Sequence, residues 1–274
     1  MAQRAIDAGA GVTLAATDEG DGPAVVLLHG LTASRRYVVM GSSALQRGGH
    51  RVVAYDARGH GASSPAPAPD AYSYAELCGD LVALLDAVQI ERAVLAGVSM
   101  GAHTCLRLAL EQPERVAGLV VITPGFDPLE LSDRRRLARW DALSDALRSG
   151  GIEAFAEAFG VQRLPASWRE TVGRALRQRM AAHEHLDAVA DALRAVPRSA
   201  PFRDLHALEE IECPALVIGS RDEADPGHPL DLARHYAELL PNGRLAVEEE
   251  GRSPLAWQGG RVCRLIGEVV AQAV

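Results

Sequence analysis

The sequence contains no lysine, because all 28 of the basic residues among its 274 are arginines. Schiff-base catalysis and catalysis by a lysine general base are therefore excluded. Cysteine is also scarce, and the spacing of the four that are present (Cys78, Cys105, Cys213 and Cys263) matches no metal-binding pattern. We expect these thiols to be reduced and to pack as small apolar side chains in a cytoplasmic protein.

Long apolar runs are missing as well. The first residues lack the apolar region of a secretory signal, and no later run reaches transmembrane length, so a cytoplasmic protein with no membrane partner is expected. A net charge of −8 argues against non-specific binding to nucleic acid. With membranes and nucleic acid not expected, a small molecule is the expected substrate or ligand. The sequence does not determine the oligomeric state.

The most informative segment that is present is a G-x-S-x-G motif around Ser99. An apolar run ends at Gly97-Val98, and a good helix-forming stretch begins after Ser99, so a strand is expected to turn sharply into a helix. A Cβ atom at Gly97 or Gly101 would collide with a neighbouring segment in such a turn. The turn would present the Ser99 hydroxyl at a helix N-terminus, where developing negative charge is stabilised. Alone, the motif also fits an ordinary glycine-rich turn.

Two further motifs precede it. A buried strand pattern from Ala24 ends in His29-Gly30, and the next one is followed by D-x-R-G-x-G-x-S over residues 56–63. With these motifs in this order, the chain resembles the α/β-hydrolase superfamily. It is most similar to the capped branch that includes esterases, lactonases, carbon–carbon bond hydrolases and cofactor-free haloperoxidases. The resemblance covers nearly the whole chain except its middle.

The alternation of strand and helix patterns predicts an α/β fold with a mostly parallel central sheet of about eight strands flanked by helices. A hairpin is predicted over 3–16, and strands near 24–28, 51–55, 93–98, 118–123, 215–219 and 244–249. Helices are predicted near 35–47, 73–88, 100–111, 230–240 and 255–272. A helical cap is expected after the sixth strand, over 126–206, with 1–125 and 207–274 forming the hydrolase core. Within the cap, Gly150-Gly151 should end one helix, and a capping box from Ser167 to Glu170 should open another.

The resemblance also implies roles for individual residues. The backbone N–H groups of Leu31 and Met100 would form the oxyanion hole, Ser99 would be the nucleophile, and Asp222 would be the triad acid. Asp225 is the alternative acid. The spacing of Asp222, Asp225 and His228 suits no common metal site, and neither a metal nor a cofactor is expected.

The catalytic histidine of the family is missing from its usual place. Arg252 stands where that histidine would follow the last strand, and no histidine occurs after His235. A guanidinium stays protonated far above neutral pH and cannot act as a general base. Beside Asp222, Arg252 would form an ion pair and leave Ser99 a weak nucleophile.

Three hypotheses follow. In the first, His228 in the acid loop is a relocated base and Arg252 binds a substrate carboxylate; the protein then hydrolyses an ester, a lactone or a similar acyl bond. In the second, the protein is a catalytically silenced hydrolase that binds a ligand. In the third, the same pocket serves a lyase or an isomerase. His103, one helical turn after Ser99, is expected to pack within its helix rather than act as the base.

Overall fold

A computed structural model describes residues 2–221, 227–252 and 257–273. Its centre is one eight-stranded sheet with the order β1-β2-β4-β3-β5-β6-β7-β8. The first two pairings, β1 with β2 and β2 with β4, are antiparallel, and the others are parallel. The strands are β1 Ala2–Asp7, β2 Thr13–Glu19, β3 Ala24–Leu28, β4 Arg51–Tyr55, β5 Ala93–Val98, β6 Val116–Ile122, β7 Ala215–Gly219 and β8 Gly243–Val247. The predicted fold class is confirmed.

Helices cover both faces of the sheet, which is why its inner strands are apolar on both sides. Successive residues of a strand point to opposite faces. Val26 and Leu28 belong to one apolar cluster, which includes residues of α2, α3 and α7. Val25 and Leu27 belong to another, which includes residues of α1 and α8. The helices are α1 Ala44–Arg47, α2 Tyr74–Ala87, α3 Met100–Glu111, α4 Arg134–Phe159, α5 Ala166–Met180, α6 Leu186–Ala195, α7 Leu230–Leu239 and α8 Gly259–Ala273.

The predicted helix over 35–47 is wrong. Only a 3₁₀ turn, Arg35–Tyr37, and the short α1 form there. The backbone between them passes through the left-handed region at Met40 (φ 49°) and Gly41 (φ 71°), which no right-handed helix can accommodate. The apolar spacing of this segment therefore reflects packing of an irregular loop.

Residues 126–206, all of which are described, contain helices and no strand. Two helical segments meet within α4 at Gly150 and Gly151, whose dihedral angles are non-helical, so the first segment ends at these glycines as predicted and a second follows directly. The predicted capping box is wrong, because α5 already begins at Ala166 and Ser167 lies inside it. The carbonyl of Pro165 accepts the first two backbone bonds of this helix. The division of the chain into a core and a cap stays a prediction.

The helical segment packs against the end of the sheet that carries Ser99. Leu31, just after β3, and Met100, just after Ser99, are buried in one apolar cluster with Leu143, Leu147 and Leu193 of α4 and α6. This cluster therefore encloses the two residues whose amides are of interest for catalysis. In the parts of the chain that the structure describes, no helix is long and apolar enough to cross a membrane.

Candidate active site

Ser99 occupies a strained turn between β5 and α3. Its φ of 49° and ψ of −110° lie outside the regions that non-glycine residues favour. The turn is tight, because a Cβ atom on Gly97 would lie 2.3 Å from the carbonyl carbon of Gly101. A Cβ atom on Gly101 would lie 2.3 Å from the carbonyl oxygen of Leu28. Backbone thus approaches backbone at both positions, which explains the two glycines and holds the serine in its strained conformation.

The hydroxyl of Ser99 lies beside the ring of His228. The distance from His228 Nε2 to Ser99 Oγ is 2.8 Å, and the histidine is half-buried. The ring comes from the loop between β7 and α7, two residues before Leu230 begins that helix. The structure thus brings together a serine in a strained turn and an imidazole within hydrogen-bond distance, the arrangement that nucleophilic catalysis requires.

The loop after β3 runs against the serine. A Cβ atom added to Gly30 would lie 3.6 Å from Ser99 Cβ. Within the described ranges, the amides of Leu31 and Met100 have no protein acceptor among the hydrogen bonds. The amide of Met100 belongs to the first turn of α3, where the N–H groups lack an intrahelical partner and form the positive end of the helix dipole. Both amides are therefore available to a ligand oxygen.

Buried histidines fix the Leu31 loop. His29 Nε2 accepts a hydrogen bond from Ala57 N at 2.9 Å, while its Nδ1 lies 2.8 Å from Gly30 O. His60 Nε2 lies 2.8 Å from Leu31 O. Burial, with a smaller contribution from His60, lowers the pKa of His29 to about 3. A neutral His29 can therefore accept from one side and donate to the other, which sets the course of the loop.

A third histidine connects the helical segment to this region. His183 Nδ1 accepts a hydrogen bond of 2.8 Å from Gly61 N, and its ring meets that of His60 edge-on. Burial, followed by the nearby His60 and His29, lowers the pKa of His183 to about 3. The ring stays neutral and can accept the amide bond, so it fastens the end of α5 to the loop after β4.

Arg252 lies at the surface. Its side chain is 69% exposed, and its Nε is 3.8 Å from Glu249 Oε2. Among the described residues, no contact joins Arg252 to Ser99. Asp222 and Asp225 lie outside the described residues, so the predicted triad acid and its alternative stay predictions.

Glu248, which sequence reasoning missed, anchors the start of the loop that leads to His228. The residue is 1% exposed. Its Oε1 accepts from Ser220 Oγ at 2.9 Å and from Arg221 N at 2.6 Å, while Oε2 accepts from Trp257 Nε1 at 3.2 Å. A carboxylate directly after the last strand was the only available signal. Among the described residues, no group of three histidine, cysteine or acidic side chains could hold a metal ion.

Comparison with known proteins agrees with the observed fold. The family model for the α/β hydrolase fold matches residues 23–257. A protein of Pseudomonas savastanoi pv. phaseolicola (strain 1448A / Race 6) named "Putative carbamate hydrolase RutD" is 33% identical over 232 residues, which cover 84% of this chain and 86% of that protein.

Solved structures share the fold. A thermophilic esterase from Thermogutta terrifontis matches with a TM-score of 0.78 at 24% identity, covering 100% of this chain and 99% of the esterase. The enol-lactonase from Burkholderia xenovorans LB400 matches with a TM-score of 0.74 at 22% identity, covering 98% of this chain and 100% of the lactonase. The chain belongs to the α/β-hydrolase superfamily.

Proposed function

We propose that this protein is a serine hydrolase that cleaves an ester, lactone or carbamate bond in a small metabolite. Ser99 is the nucleophile, His228 the relocated general base and Asp222 the acid that orients it. The amides of Leu31 and Met100 form the oxyanion hole. The observation that carries the proposal is the 2.8 Å distance between His228 Nε2 and Ser99 Oγ.

The distance supports a proton transfer. A general base must lie about 2.6–3.2 Å from the proton-bearing atom, and this pair already does so without a substrate. The Ser99 hydroxyl donates to His228 Nε2, which leaves the ring proton on Nδ1 for a carboxylate. The chain order Ser99, Asp222, His228 is that of the superfamily, although the base is borne by an earlier loop than usual.

The proposed reaction has two halves. The Ser99 oxygen attacks the carbonyl carbon while its proton moves to His228 Nε2, and the carbonyl oxygen gains negative charge beside the amides of Leu31 and Met100. As the tetrahedral intermediate collapses, the imidazolium returns the proton to the leaving group. Water then attacks the acyl or carbamoyl enzyme by the same route and releases Ser99. Each oxyanion donor can contribute about 3 kcal/mol to lowering the barrier.

The substrate class follows from what these groups can do. Esters, lactones and carbamates each present a carbonyl carbon with a heteroatom leaving group, and each passes through a tetrahedral oxyanion. The name of the 33% identical relative favours a carbamate, and those of the structural neighbours favour esters and lactones. A cytoplasmic location is part of the proposal, since all four cysteines are free thiols and three are buried.

Hydrolysis of a panel of p-nitrophenyl esters, p-nitrophenyl carbamates and lactones tests the proposal. We expect turnover by the wild type and a loss of at least about 10³-fold in Ser99→Ala. The matched control is Ser132→Ala, since Ser132 is exposed on the helical segment, and it should retain the wild-type rate. Turnover that survives in Ser99→Ala would overturn the serine mechanism.

The same panel separates the two rival hypotheses. If the protein only binds a ligand, a compound of the panel should raise its midpoint temperature of thermal unfolding, and no product should form. A lyase or an isomerase would convert a substrate without incorporating water, which mass analysis in H₂¹⁸O detects. The exposed position of Arg252 and the contact between Ser99 and His228 favour the hydrolase.

A further inference from the structure

Gly125, in the loop after β6, lies directly beneath the ring of His228. A Cβ atom added to Gly125 would lie 2.8 Å from His228 Cδ2 and 3.4 Å from His228 Nε2. Carbon atoms in ordinary contact lie about 3.5–4.0 Å apart, so the ring would have to move by roughly 1 Å. The ring of His228 therefore occupies space that a side chain at position 125 would need.

The backbone does not explain this glycine. Gly125 is not among the glycines with a positive φ, so its φ does not require glycine. Of the three heavy atoms nearest to the added Cβ, two belong to the ring of His228 and the third is the carbonyl oxygen of Gly227, at 3.3 Å. The ring of His228 is thus the main feature that a side chain at position 125 would disturb.

His103 holds the backbone of Gly125 in place. His103 Nε2 accepts from Gly125 N at 3.1 Å and from Phe126 N at 3.2 Å. The accepting Nε2 leaves the ring proton on Nδ1, which donates to the hydroxyl oxygen of Tyr74 at 2.9 Å. Burial, followed by the charge of nearby His228 and Arg136, lowers the pKa of His103 to about 3 and keeps the ring neutral.

The same loop is bound to the helix that follows His228. The hydroxyl of Tyr236, in α7, donates a 2.6 Å hydrogen bond to the carbonyl of Phe126. His103 therefore fixes the amides of the 125–126 segment while Tyr236 fixes its carbonyl. The strained backbone of Thr123, with a φ of 44°, lies at the start of this loop. A β-branched residue rarely adopts such a φ, and the surrounding contacts must maintain it.

We propose that Gly125 is a positioning residue. Its lack of a side chain leaves space for the ring of His228 to reach Ser99, and His103 fixes the backbone of Gly125 at that place. The proposal rests on the proposed function, in which His228 activates Ser99. It adds that the relocated base depends on a residue outside the G-x-S-x-G motif and outside the loop that carries His228. The displaced group is the far end of a side chain, so an added methyl group should move the base without unfolding the protein.

The test compares Gly125→Ala with His228→Ala and with the control Gly79→Ala. Gly79 is exposed within α2, and an added Cβ would meet no atom within 4 Å. We expect Gly125→Ala to lower kcat by about 10²-fold with KM nearly unchanged, since about 1 Å of misplacement costs this much. Gly79→Ala should match the wild type. The double variant Gly125→Ala/His228→Ala should have the same kcat as His228→Ala, because both changes act on the same function, the activation of Ser99 by His228.

A spectroscopic readout keeps the two proposals apart. Long-range ¹H–¹⁵N spectra of protein labelled at histidine identify the His228 ring by its loss in His228→Ala. We expect Gly125→Ala to shift the ring nitrogens of His228, and Gly79→Ala to leave them unchanged. Unshifted nitrogens, or full kcat in Gly125→Ala, would overturn the positioning role even if Ser99 is reactive. If the wild type has no turnover but Gly125→Ala shifts the His228 signals, the hydrolase proposal fails and the placement stands.

Discussion

His228 Nε2 lies 2.8 Å from Ser99 Oγ although 129 positions separate the two residues in the chain. The strained turn at Ser99 and the loop before α7 are brought together by the parallel pairing of β5 with β6 and of β6 with β7. The carboxyl ends of parallel strands share one edge of the sheet, so residues that follow them meet there. An imidazole can therefore reach Ser99 even though arginine occupies position 252.

Arg252→Ala tests whether the family position of the histidine still matters. The Arg252 side chain is exposed and faces Glu249. We expect the rate of Ser99 modification by a neutral fluorophosphonate to stay within about twofold, since exposed ion pairs contribute little. Glu249→Ala is the matched control. A tenfold change in Arg252→Ala alone would mean that the guanidinium acts at the site.

Gly97→Ala should destabilise the fold rather than only impair catalysis. The added Cβ would lie 2.3 Å from the backbone of Gly101, which cannot move without breaking the turn. We expect a loss of more than about 3 kcal/mol in the free energy of unfolding, measured by urea denaturation. Gly79→Ala should instead stabilise the protein by about 0.5–1 kcal/mol, because alanine is the better helix former. Equal stabilities for the two variants would contradict the steric account.

Stability should fall as the pH falls below 6.5. The pKa values of His29, His103 and His183 are lowered to about 3, so between pH 3 and 6.5 the unfolded chain binds more protons than the folded one. Each ring should then cost about 1.5 kcal/mol of stability between pH 6.5 and pH 5. Urea denaturation at pH 7.5, 6.5, 5.5 and 5.0 measures the slope.

His183→Gln provides the control for this slope. Glutamine can still accept a hydrogen bond from the amide of Gly61 but does not titrate. The slope of the unfolding free energy against pH should therefore fall in the variant by the equivalent of up to one bound proton. A free energy of unfolding that stays constant from pH 7.5 to pH 5 in the wild type would contradict the neutral assignment of the buried rings.

Glu248→Ala should be costly because it removes a buried carboxylate that accepts three hydrogen bonds. Ser220, Arg221 and Trp257 all donate to this carboxylate. We expect a loss of about 3 kcal/mol or more in the free energy of unfolding, since each hydrogen bond to a charged group contributes about 1.5–3 kcal/mol. Trp257→Phe removes only one donor and should cost about 1 kcal/mol. If both variants had the same stability, the carboxylate would not anchor this loop.

Much of the fold could be predicted from the sequence because its strands are short apolar runs separated by helical periods. The structure places β3 and β4 at the predicted residues, 24–28 and 51–55. The predicted helix over 35–47 fails because sequence periodicity does not reveal the left-handed backbone at Met40 and Gly41. The predicted capping box fails because α5 already begins at Ala166, so Ser167 lies inside the helix.

Some residues of the candidate site could also be predicted from the sequence, and others could not. Ser99 could be predicted as a nucleophile because the motif around it is local, and His228 as a base because it shares a loop with Asp222. Gly125, His103 and Glu248 could not, since each makes contacts with a segment 22 or more residues away that no local pattern reveals. A glycine that makes room for a ring leaves no pattern in its own neighbourhood. The roles of Ser99, Asp222, His228, Leu31 and Met100 stay predictions.

The most direct measurement of the central claim is the rate at which a fluorophosphonate probe modifies the protein, followed by intact mass. The account predicts one adduct per wild-type chain, none in Ser99→Ala, and a rate about 10²–10⁴-fold lower in His228→Ala. His235→Ala, which changes an exposed histidine of α7, should react like the wild type. An adduct that forms equally fast in His228→Ala, or no adduct on the wild type, would contradict the account.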